Sequence, residues 1–78
     1  MPLTRRQLQV IKLVALGFIT KEIADNLGIS LKTAEKHRMW AMQRLGIKDV
    51  ATLTHYALAH GLVENIYNQK VNYDRTRN

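Results

Sequence analysis

Lys32, Glu35, Lys36, Met39 and Gln43 recur at helical spacing, and at 100° per residue they fall on one side of a single helix. Ala34, Ala41 and Leu45 fall on the opposite side, with Leu31 and Met42 on its flank. The first row offers ammonium donors, a carboxylate acceptor, an amide and one soft apolar tip, which is equipment for non-covalent recognition. An ammonium such as that of Lys36 donates to guanine O6 or N7, a carboxylate such as Glu35 accepts from cytosine N4, and Met39 offers apolar contact to a thymine methyl. An exposed polar stripe of this kind suits the major groove of duplex DNA. Around it, Thr20, Lys21, Ser30, Lys32, Thr33, Arg38 and Gln43 supply the hydroxyls, amides and cations that bind phosphate oxygens. Arg38 falls near the edge of the apolar side, so its stem packs while its head reaches a carboxylate or phosphate.

Other chemistries find no set of groups. Ser30 is the only serine and is needed as a helix cap, and the six carboxylates form no pair that spacing identifies. No catalytic residue is assigned and the chain reads as a non-enzyme. His55 and His60 are five apart, off a common helical face, and there is no cysteine. His37 borders the interior and reads as a packed, hydrogen-bonded side chain. Neither a metal site nor a cofactor is expected.

Charge narrows the partner. Twelve Lys and Arg against six Asp and Glu leave +6 on 78 residues, which calls for a polyanion, either nucleic acid or an anionic membrane. The cations are spread over the chain rather than gathered on one amphipathic helix, and no apolar run has the length of a membrane span. Duplex DNA is therefore the expected partner and a membrane is not. Met1-Pro2-Leu3 does not open a signal peptide, and the lack of cysteine fits a reducing cytoplasm.

The elements that must position these residues are helices. Thr4 and Gln7 form a capping box, with Leu3 and Leu8 placed for a hydrophobic staple, and the helix runs through Val10, Ile11, Leu13 and Val14 to Gly17. Thr20 is expected to cap a short second helix carrying Ile23, Ala24 and Leu27 and ending at Gly28. Ser30 caps a third, from 31 to 45, stopped by Gly46. Asp49 caps a fourth, from about 50 to 60, stopped by Gly61. On that fourth helix Val50, Leu53 and Ala57 are assigned to the core, leaving Ala51, His55 and Leu58 as a partly apolar outer strip for a second copy. No strand alternation, repeat or low-complexity tract appears. Residues 1–64 are read as one domain and 65–78 as a basic C-terminal tail without a long apolar stripe, with room for one helical turn at Asn65 to Gln69. Trp40 borders the polar row and is assigned either to the sugar-phosphate backbone or to the second helix.

The short connection Leu27-Gly28-Ile29-Ser30 sets the second and third helices at a steep angle, the helix-turn-helix arrangement, over about 20–39. With Leu3-Thr4, Gly17 through Ala24, Lys32-Thr33, His37-Arg38, Leu45-Gly46-Ile47 and Tyr56-Ala57-Leu58 through Gly61-Leu62, the chain resembles the LuxR-type helix-turn-helix family from residue 3 to about 62. The resemblance implies an all-α, four-helix fold in which helix three reads the major groove and Glu35 and Lys36 reach base edges. It also implies dimerisation through helix four, and a bacterial transcription regulator in which such a domain commonly follows a phosphoacceptor or autoinducer-binding domain. RNA polymerase is a further candidate partner. The alternative is a protein-interaction module that pairs with another LuxR-type regulator through helix four. The chain departs from the family pattern at Arg5, Gln7, Gln9, Ile19 and Trp40. The two glutamines replace usual glutamates and so favour attraction to DNA.

Overall fold

Thr4 opens the first helix through a reciprocal pair. Its Oγ1 accepts from the Gln7 N–H at 3.1 Å while Gln7 Oε1 accepts from the Thr4 N–H at 3.0 Å, so two amides without an intrahelical acceptor are satisfied at once. In the computed structural model, which describes residues 3–64, this helix is α1 (Arg5–Ala15), followed by α2 (Thr20–Leu27), α3 (Leu31–Leu45) and α4 (Val50–Ala59). The described residues form four helices and no strand, in agreement with the all-α expectation. The expected turn at Asn65 to Gln69 and the tail to Asn78 lie outside the described residues.

All four helices end the same way. The N–H of the apolar residue after glycine turns back five residues: Phe18 to Leu13 O, Ile29 to Ala24 O, Ile47 to Met42 O and Leu62 to Ala57 O, at 2.9–3.0 Å. This closes the last carbonyls and carries Phe18, Ile47 and Leu62 onto the core. Gly28 matters most, because at φ +68 it makes the turn between α2 and α3 that a β-carbon would strain.

The core gathers around α1, which packs against each of the other three helices. Val10, Ile11 and Val14 meet Ile23 of α2, Ala41 of α3 and Leu53 of α4, all on the 3.6-residue stripe that α1 presents. A smaller cluster of Ala15, Ala57 and Val63 seals the α1–α4 seam. Ala34 and Ala41 are fully buried, and their small side chains let α3 approach its neighbours closely.

Three local expectations change. Thr20 is not the α2 cap but its first residue; Ile19 takes the cap position with extended backbone (φ −80, ψ 162). Glu22 Oε1 accepts from the Ile19 N–H at 3.0 Å, but Ile19 has no oxygen to return, so only half a capping box exists. Val50, assigned to the core, is 41% exposed, and Leu31, placed beside the core, is 47% exposed. Both are the first residues of their helices, where the neighbouring helix no longer covers the angle that a wheel assigns to the interior.

Candidate nucleic-acid interface

The turn Gly28-Ile29-Ser30 holds α2 and α3 together at their adjoining ends. Ser30 Oγ caps α3 by accepting from the Thr33 N–H at 3.1 Å and donates its own proton to Thr33 Oγ1 at 2.9 Å. The Thr33 hydroxyl proton is thus the one this pair can offer outward. With Ala34 and Ala41 buried on one side of α3, Lys32, Glu35, Lys36, Met39 and Gln43 are all exposed on the other. The structure therefore brings the expected row together on one face.

The edge of that face nearest α2 is tied by a long-range bond. Arg38 Nη1 donates to Thr20 Oγ1 at 3.1 Å. Sequence reasoning placed the Arg38 head against a carboxylate or phosphate; its partner within the fold is a hydroxyl. Because Thr20 Oγ1 accepts from a guanidinium, its own proton is free to be donated, and Lys21 beside it is exposed. Thr20 and Arg38 are brought together, and Lys21 adjoins them on the first turn of α2.

The opposite edge faces α1. Trp40 is 44% exposed and shares a groove with Gln7 of α1 and with Gln43 and Arg44. The groove sets Trp40 beside α1. Its ring meets the His37 ring edge-on, with centroids 6.1 Å apart and planes at 84°. His37 is packed as expected, but its buried Nδ1 has no hydrogen-bond partner. The groove was missed because Gln7 and Trp40 are far apart in sequence; only the wheel position of Trp40 hinted at it.

On α4, Leu53 and Ala57 are buried while Ala51, His55 and Leu58 are exposed along the outer side. Asp49 caps this helix, its Oδ2 accepting from the Thr52 N–H at 2.9 Å and its Oδ1 from the Thr52 hydroxyl at 2.8 Å. These bonds, the backbone one first, hold the Asp49 carboxyl below its ordinary value of 3.8. Near the end of the helix Tyr56 and His60 stack at 4.0 Å. No group of three metal-ligating side chains is found among the described residues, and no helix there is long and apolar enough to cross a membrane.

Residues 1–57 match the family model GerE, described as bacterial regulatory proteins of the luxR family. The chain belongs to the luxR family. Its four-helix, strand-free fold is that expected of a LuxR-type helix-turn-helix domain, and the family consists of DNA-binding transcription regulators. It is similar to the transcriptional regulatory protein MctR of Rhizobium johnstonii, 45% identical over 65 residues, which make up 83% of this chain and 30% of that protein. It is also similar to the oxygen regulatory protein NreC of Staphylococcus aureus, 42% identical over 62 residues, 80% of this chain and 29% of that protein. The chain thus spans less than a third of the curated luxR-family relatives it matches. No solved structure gives a significant match.

Proposed function

We propose that this luxR-family chain binds double-stranded DNA sequence-specifically as part of bacterial transcription regulation, with α3 in the major groove. The observation that carries the reading is the exposed row Lys32, Glu35, Lys36, Met39 and Gln43 on a helix fixed at its start by a three-residue turn. Glu35, Lys36 and Met39 are the base-reading residues, since they offer an acceptor, a donor and an apolar tip at the centre of the row. Thr20, Lys21, Lys32, Thr33 and Gln43 hold phosphates; Ser30 joins them by presenting the Thr33 hydroxyl and Arg38 by presenting the Thr20 hydroxyl. Ala51, His55 and Leu58 on α4 form the contact to a second copy, so that two α3 helices meet half-sites about one helical turn apart. Action on DNA in a bacterium places the chain in the cytoplasm, and RNA polymerase within reach as a further partner. Residues 1–64 constitute the DNA-binding domain, with 65–78 as an appended basic segment.

The experiment is a titration of labelled duplex at several salt concentrations. If each of two copies engages about three phosphates, log K falls against log salt with a slope of roughly −5. A slope near zero removes the electrostatic basis of the reading.

A further inference from the structure

We infer that Trp40 is a DNA-contacting residue that engages the sugar-phosphate backbone along the α1 edge of α3, carrying the interface onto the start of α1. The inference rests on the duplex-binding reading above. A helix with its side chains is about 10–12 Å across and the major groove about 12 Å wide, so a helix seated there meets a phosphate wall on each side. One edge of α3 is furnished by Arg38 bonded to Thr20 at 3.1 Å. The other edge is the groove of Gln7, Trp40, Gln43 and Arg44.

That groove has the chemistry of a backbone contact. Among the described residues its lining includes the amides of Gln7 and Gln43 beside the Trp40 indole, whose N–H groups can donate to phosphate oxygens. Gln7 Oε1 is committed to the Thr4 N–H at 3.0 Å, so the hydrogen bond this side chain offers outward comes from its Nε2 donor. Trp40 keeps 44% of its surface in solvent, and no partner for its indole N–H is found among the described residues. The indole is a donor only, with a broad apolar face, which suits a phosphate oxygen beside a deoxyribose. His37, edge-on at 6.1 Å, holds the ring in place. Trp40 follows Lys36 by one turn and precedes Gln43 by three residues, so the surface is continuous with the base-reading row.

Trp40 is the only tryptophan in the chain, which makes its own fluorescence the probe. The full chain is titrated with a labelled duplex of about 12 base pairs, too short for two copies on successive turns, and anisotropy fixes saturation. Acrylamide quenching of Trp40 is expected to fall severalfold at saturation. Unchanged quenching on a saturated duplex overturns the inference and leaves DNA binding intact. Protection that appears only on a longer duplex holding two copies also overturns it, because the occupant is then a second copy. No anisotropy change at all sinks the duplex reading itself and the inference with it. As a second arm, Trp40→Ala should weaken enriched and random duplexes by the same factor, about tenfold, with Trp40→Phe in between and helicity unchanged. A loss confined to the enriched duplex would make Trp40 a base reader and refute the backbone assignment.

Discussion

The half-built cap of α2 gives a test with a magnitude. Thr4 and Ser30 cap α1 and α3 at (φ, ψ) of (−69, 164) and (−70, 156), each accepting the amide three residues on at 3.1 Å. Ile19 holds nearly the same backbone, (−80, 162), but has no oxygen for the Glu22 N–H. A serine there needs no backbone change to accept that amide, and Glu22 already accepts from the residue 19 N–H at 3.0 Å. Ile19 is 61% exposed, and the apolar contact it does make is lost equally in Ile19→Ser and Ile19→Ala. Comparing the two therefore isolates the hydroxyl. A side-chain cap contributes about 1 kcal/mol over alanine, which in a domain of this size separates the two melting temperatures by about 4–8 °C. The assay is thermal unfolding followed by circular dichroism, with urea titration as a check. If Ile19→Ser melts no higher than Ile19→Ala, the helix does not start where the backbone places it, and the reassignment of Thr20 to the first turn is wrong.

Two further outcomes follow from the structure. The Asp49 carboxyl is held below 3.8 by the Thr52 N–H and then the Thr52 hydroxyl, so its charged form stabilises the folded state fully above the ordinary value, and that contribution is lost as pH falls through the lowered one. Asp49→Asn keeps a capping oxygen and should flatten the loss of stability below about pH 4; an unaltered acid limb in a pH series of melts would discount the cap as its source. Leu58 is exposed on α4 and is proposed as part of the contact between copies, so Leu58→Arg should reduce cooperative occupancy of paired half-sites while sparing single half-site affinity. If both fall together with helicity, Leu58 belongs to the fold rather than to the dimer.

Most of the fold is written in short-range signals. Thr4 with Gln7, Ser30 with Thr33 and Asp49 with Thr52 are local pairs three residues apart, and the stops after Leu16, Leu27, Leu45 and His60 are glycines followed by an apolar residue. The exposed row of α3 was legible for the same reason: helical periodicity is a local property. What could not be read locally was what distant residues would claim. Capping preferences favour the Thr20 hydroxyl over Ile19, yet Arg38, eighteen residues on, takes that hydroxyl as acceptor. A wheel gives Val50 and Leu31 an angle, whereas their burial depends on whether a neighbouring helix extends past the first turn. Trp40 had two assignments open because its neighbour Gln7 is on another helix.

The central claim is that Lys36 reads a base while Lys21 holds a phosphate. The most direct measurement is a paired titration at one salt concentration, on a duplex enriched from a random library by the wild-type chain and on unselected duplex. Lys36→Ala is predicted to cost about 1–3 kcal/mol on the enriched duplex and much less on the random one, whereas Lys21→Ala lowers both by a similar factor. Equal losses on both duplexes for Lys36→Ala would contradict the account, because Lys36 would then be a phosphate contact and the proposed base readout by α3 would have to be abandoned.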